Sequence, residues 1–143
     1  MRNGSPLLIV EDNETDVLCM KKAFEKNGIG KAIITASNGE EALAFLKGEC
    51  PEKGTRIPNL ILLDLNMPIM NGFEFLAAIK SDDQLKTIPV VILTSSTSAM
   101  DMNDSYRNSV AGYIEKPMDP DDYLDIARVL DQYWSLSYLP TIN

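Results

Sequence analysis

The strongest pattern in the chain is a series of short apolar runs, each followed at once by polar or charged residues. Leu7-Leu8-Ile9-Val10 leads to Glu11-Asp12, Leu60-Ile61-Leu62-Leu63 to Asp64, and Val90-Val91-Ile92-Leu93 to Thr94-Ser95. A weaker run, Gly112-Tyr113-Ile114-Glu115, leads to Lys116-Pro117. Unbroken apolar runs, as opposed to alternating ones, predict strands buried on both faces of a parallel sheet. Ala32-Ile33-Ile34-Thr35-Ala36 predicts one more strand, second in chain order.

Helical patterns fill the intervals. Asn13 is placed to cap a first helix, with Glu14 and Asp16 in the turn where the helix dipole favours acids. Val17, Met20, Lys21 and Phe24 keep its rhythm until Asn27-Gly28. Asn38-Gly39-Glu40-Glu41 resembles a capping box and opens a second helix carrying Ala42, Leu43, Phe45 and Leu46. Asn71-Gly72 opens the third, whose apolar side holds Phe73, Leu76 and Ala77. The fourth, over residues 99–108, has only Met100, Met102 and Tyr106 as large apolar residues, which predicts weak burial and low local stability. Pro120 suits the first turn of a fifth. Residues 47–58 are polar and rich in Gly and Pro, longer than an ordinary helix-to-strand connection. This alternation predicts an α/β fold, a doubly wound five-stranded parallel sheet in the order 2-1-3-4-5.

At 143 residues the chain suits a single domain, with its core over residues 7–133 and an aromatic C-terminal tail over 134–143. Thirteen basic residues against 21 acidic ones give a net charge of −8, which argues against non-specific nucleic-acid binding. No stretch approaches a membrane span and no apolar leader opens the chain, so the cytoplasm is the expected location. Cys19 and Cys50 lack a metal-ligand spacing and read as free thiols. Histidine is absent, which excludes imidazole metal ligands and a Ser-His-Asp hydrolase.

In an open α/β sheet, ligands bind beyond the carboxyl ends of the strands, where the strand order reverses. Glu11, Asp12 and Asp64 are expected to crowd there. Two like charges about 4 Å apart repel by roughly 4 kcal/mol at an effective dielectric near 20, so the cluster needs a proton or a cation. Mg²⁺ fits an all-oxygen set: Asp12 and Asp64 as direct ligands, Glu11 through water, and the Asn66 carbonyl at a further position. A carboxylate can attack phosphorus to form an aspartyl phosphate, and catalysis is then mostly positioning and charge neutralisation. Lys116 can neutralise one phosphoryl oxygen and the Thr94 hydroxyl can donate to another. Taken singly, an acid pair is usually a solvated helix start, Thr94 a turn residue and Lys116 a surface charge. Their arrival at one edge of one sheet is what favours the joint reading.

These motifs resemble the receiver domain of two-component response regulators, over about residues 7–133. They are Val10-Glu11-Asp12-Asn13, Asn38-Gly39-x-Glu41-Ala42-Leu43, Leu63-Asp64-Leu65-Asn66-Met67-Pro68, Asn71-Gly72, Leu93-Thr94 and Tyr113-Ile114-Glu115-Lys116-Pro117. The resemblance implies the flavodoxin-like receiver fold and phosphorylation of Asp64 by a histidine kinase, with Mg²⁺ held by Asp12, Asp64 and the Asn66 carbonyl. It assigns Thr94 and Tyr113 to a switch, pairs Lys116 with the phosphoryl group and makes the Lys116-Pro117 bond cis. Ser95 departs from the alanine common at that position, which implies a tighter or more polar pocket. The long segment before the third strand and the tail Tyr133-Trp134-Ser135-Leu136-Ser137-Tyr138-Leu139-Pro140 resemble stand-alone receivers that serve bacterial phytochrome-type kinases.

In the fifth helix Tyr123, Ile126, Ala127, Val129, Leu130, Tyr133 and Trp134 cover an arc of roughly 160° at about 100° per residue, wider than one buried face needs. A homodimer is therefore expected through the side formed by the fourth helix, fifth strand and fifth helix, using Tyr106, Tyr123, Ala127, Leu130 and Trp134. The alternative is a tail folded back on its own domain. Three other functions are to be weighed. A haloacid-dehalogenase-like phosphatase needs a second aspartate where Asn66 stands. A flavodoxin-like FMN protein needs a phosphate loop where Glu11-Asp12 would repel phosphate, and an inert scaffold would be indifferent to loss of Asp64.

Overall fold

The computed structural model describes residues 5–136. Five parallel strands, β1 (Leu7–Val10), β2 (Ile33–Ala36), β3 (Leu60–Leu63), β4 (Val90–Thr94) and β5 (Gly112–Glu115), form one sheet in the order β2-β1-β3-β4-β5. The helices are α1 (Glu14–Lys26), α2 (Gly39–Leu46), α3 (Gly72–Lys80), α4 (Ala99–Arg107) and α5 (Tyr123–Leu136). Short 3-10 turns, Pro51–Lys53 and Pro120–Asp122, precede β3 and α5. The predicted order and the predicted succession of elements both hold.

Because successive strand residues face opposite sides, each apolar run feeds two cores. Leu8, Val10, Ile61, Leu63 and Ile92 pack with Phe45, Phe75, Leu76 and Ile79 on the α2–α3 side. Leu7, Ile9, Leu60, Leu62, Val91 and Leu93 pack with Met20, Phe24, Ala127 and Leu130 on the α1–α5 side. The central strands β1, β3 and β4 are buried throughout, whereas β2 and β5 at the edges are mostly half-buried.

Helix starts follow the predicted caps. Asn13, Asn38 and Asn71 each accept a hydrogen bond from the backbone three residues on, at Asp16, Glu41 and Glu74. Asn71 and Glu74 close a full capping box. In α2 the return bond lands one residue earlier than a box requires, since Glu41 accepts from the Ser37 N–H at 3.0 Å. The long connection before β3 is tied down by Lys53, which donates to the Thr35 carbonyl and pairs with Glu41, both at 2.9 Å. As the composition predicts, α4 is thinly attached: Ser105 is its one buried residue. No helix among the described residues is long and apolar enough to cross a membrane.

Candidate functional site

The register of the sheet aligns the carboxyl ends of the strands. Val10 pairs with Leu63, Leu63 with Ile92 and Thr94 with Glu115. The residues that follow therefore emerge at one rim. Glu11 and Asp64 are 7% and 5% exposed, Thr94 is fully buried, and Asp12 lies open to solvent. One carboxylate oxygen from each of Glu11, Asp12 and Asp64 lies within 4.8 Å of the others, so the predicted acidic trio is assembled.

Lys116 enters this cluster from the end of β5. Its Nζ lies 2.7 Å from Glu11 Oε1, 2.8 Å from Asp16 Oδ2 and 3.5 Å from Asp64 Oδ2. Burial alone would lower the pKa of the ammonium, but hydrogen bonds to Asp16 and Glu11 and the charge of Asp64 hold it above the usual lysine range. Glu11 moves the other way. Burial raises its carboxyl to about 7, helped by Asp64 and only partly offset by Lys116. The site thus combines a permanent cation with an acid that gives up its proton near neutrality.

Asp64 Oδ1 is buried and has no hydrogen-bond partner. An acceptor left bare in a buried setting is costly, and a cation or an incoming electrophile would complete it. The donor set of hard oxygens suits Mg²⁺ or a similar divalent ion held by Asp12, Asp64 and Glu11. Asn66, two residues beyond Asp64, is exposed. The close approach of β3 to α3 depends on Gly72, where a Cβ would lie 2.5 Å from the Asp64 carbonyl oxygen and 2.7 Å from Leu65 Cα.

At the β4 end, the Thr94 Oγ1 accepts from the Ser96 N–H at 3.4 Å. Tyr113 is half-buried against the α2–α3 core, and its hydroxyl donates to the Ser96 carbonyl at 3.0 Å. Ser96 also donates to Asp101 in the first turn of α4 at 2.7 Å. Thr94 and Tyr113 therefore meet at one loop, and that loop is fastened to α4. Ser95 is exposed. The bond before Pro117 is trans, as is every peptide among the described residues, which corrects the expected cis form. The trans isomer is the intrinsically favoured one for X-Pro, and Lys116 reaches the acids with it in place.

Most of the residues expected at a dimer surface serve the domain itself. Tyr123, Ala127 and Leu130 are 3%, 0% and 6% exposed and belong to the α1–α5 core, so they are not available to a partner. Trp134 is half-buried against the same core. Tyr106, half exposed on α4, does face outward. The wide apolar arc of α5 is split between α1 and solvent: Val129, Tyr133 and Leu136 are the outward set. Residues 137–143 of the aromatic tail lie outside the described residues.

Asp16 is the site residue that the sequence pattern does not single out. An acid in a first helical turn has the bland explanation of dipole complementarity, and its rim partners, Lys116 and Tyr123, come from the far end of the chain.

The profile of the response regulator receiver domain matches residues 7–128, and the chain belongs to that family, the receivers of two-component signal transduction. It is 35% identical over 128 residues to the response regulator Rcp1 of Synechocystis sp. (strain ATCC 27184 / PCC 6803 / Kazusa), covering 90% of this chain and 87% of that protein. It is 37% identical over 129 residues to the probable methanogenesis regulatory protein FilR2 of Methanothrix harundinacea (strain 6Ac), covering 90% and 82%. The crystal structure of the phosphorylated cyanobacterial phytochrome response regulator RcpA superposes with a TM-score of 0.88 at 36% identity, over 96% of this chain and 99% of that one. The Mn²⁺-bound form of Rcp1 superposes with a TM-score of 0.86 at 34% identity, over 96% and 99%.

Proposed function

We propose that this receiver accepts a phosphoryl group on Asp64 from a histidine kinase in a Mg²⁺-dependent step, and that its output is a phosphorylation-dependent protein contact. The observation that carries the reading is the bare, buried Asp64 Oδ1 between two further carboxylates and the Lys116 ammonium. Phosphorylated RcpA and the Mn²⁺-bound form of Rcp1 share this fold and support the reading.

In the transfer, an Asp64 oxygen forms a bond to phosphorus as the bond from phosphorus to the donor nitrogen breaks, and the electron pair leaves with the donor imidazole. Asp12, Asp64 and the Asn66 carbonyl, with Glu11 through water, would hold Mg²⁺, which when bound would supply Lewis-acid neutralisation of phosphoryl oxygens. Lys116 neutralises another oxygen. Thr94 turns its hydroxyl from the Ser96 N–H to the phosphoryl group, and Tyr113, joined to the Ser96 carbonyl, follows that loop. The domain assists its own modification without turning over a substrate. A phytochrome-type histidine kinase is the donor proposed here, on the likeness to RcpA. The contact proposed is a homodimer through α4, β5 and α5, made by Tyr106 with Val129 and Tyr133.

Incubation with a small phosphodonor and Mg²⁺, followed by intact-mass measurement, tests the central step. One added phosphoryl group is expected on the wild type and none on Asp64→Asn. Catalytic turnover of phosphate esters without stable labelling would instead place the chain among aspartate-based phosphatases.

A further inference from the structure

Lys116 is shared unequally among the acids around it. An ammonium has three donors and no acceptor. Here its two short contacts go to Glu11 at 2.7 Å and Asp16 at 2.8 Å, and Asp64 is left at 3.5 Å. Glu11 belongs to the group that can hold a metal; Asp16 does not.

Asp16 is also fixed from several directions. Its N–H donates to the Asn13 side chain at 3.0 Å, which anchors its backbone at the start of α1. Its Oδ2 takes the bond from Lys116, and its Oδ1 accepts from the Tyr123 hydroxyl at 3.3 Å. Tyr123 is buried between α5 and α1, so it holds this carboxylate against a packed wall. The side chain of Asp16 remains only 25% exposed, which keeps water from competing freely for the ammonium.

We propose that Asp16 is a positioning residue that holds Lys116 back from Asp64 and thereby limits how tightly Asp64 retains a phosphoryl group. The inference rests on Asp64 being the acceptor. A phosphoryl group must draw the ammonium off Asp16, and it must do so in the field of the Asp16 negative charge. Both effects weaken the modified state. Since Glu11 can turn to a bound cation, Asp16 is the competitor that persists when the site is loaded.

Beryllofluoride, a phosphoryl mimic, can be titrated in saturating Mg²⁺ into the wild type, Asp16→Asn, Asp16→Glu and Glu14→Gln. Asn keeps the shape and the backbone cap bond of Asp16 but loses the charge that holds Lys116. Asp16→Asn is expected to bind the mimic about fivefold more tightly, the scale of a partly exposed ion pair. Asp16→Glu should return toward the wild-type affinity, and Glu14→Gln, which removes an exposed charge from the same helical turn, should leave it unchanged. Equal or weaker binding by Asp16→Asn overturns the proposal, as does equal tightening by Glu14→Gln, which would make the effect one of bulk charge. Failure of the wild type to bind beryllofluoride at all would remove the acceptor reading, and this inference with it.

Discussion

Glu11 lies 2.7 Å from an ammonium, yet burial raises its carboxyl to about 7. Desolvation of the charged form and the nearby Asp64 outweigh what Lys116 returns. The consequence for stability has a definite sign. A carboxyl whose folded pKa stands above its ordinary 4.5 contributes stability that is fully present below that value and is lost as pH rises through about 7. The metal-free protein should therefore melt at progressively lower temperature between about pH 5 and about pH 8. Glu11→Gln should flatten that slope, and saturating Mg²⁺ should remove it by stabilising the ionised form. Calorimetric melts in EDTA and in Mg²⁺ decide the matter; a wild-type melting temperature in EDTA that holds level or climbs over this range would refute the assignment.

Among the elements, the junction of β3 with α3 is the most tightly specified part of the site. Gly72 leaves no room for a Cβ against the backbone of Asp64 and Leu65. Neither neighbour is a movable side-chain tip, so Gly72→Ala must push α3 off the end of the strand that leads to Asp64. The expected loss is about 1–3 kcal/mol, read as a lower urea midpoint. A midpoint equal to that of the wild type would show that the junction yields. The strands were legible in the sequence because each central one is an unbroken apolar run, and the caps because Asn13, Asn38 and Asn71 precede acidic first turns. The rim chemistry followed from the strand ends, since a parallel sheet in this order leaves Glu11, Asp12, Asp64, Thr94 and Lys116 little choice of where to go. Periodicity could not apportion the faces of α5. An arc of apolar residues reads the same whether α1 or solvent lies opposite, and the division between Ala127 and Val129 is a tertiary fact. Asp16 was hidden for a similar reason: its partners, Lys116 and Tyr123, are remote in sequence.

For the molecule as a whole, the loop after β4 ties β5 to α4. Ser96 joins Thr94 at the acidic rim, the Tyr113 hydroxyl and the first turn of α4, so in the proposed switch a movement of Thr94 would be transmitted to a thinly packed helix. On α5, Val129, Tyr133 and Leu136 follow a spacing of four and three residues and place an apolar stripe on the helix's outer face. The homodimer proposed on this side should change its association constant when beryllofluoride is bound, as measured by sedimentation. Tyr106→Ala should weaken association about fivefold or more, the scale of an aromatic anchor in an interface. Identical constants with and without the mimic would uncouple assembly from the acceptor.

The bond from Lys116 to Asp16 spans a separation of 100 residues. Chain synthesis runs from the amino end, so the acids of the rim are made long before the base that balances them. A ribosome-bound intermediate lacking the last strand would present carboxylates with no ammonium among them. Under the proposed function, competence to receive a signal would thus arise only once Lys116 has joined the acids that precede it in the chain.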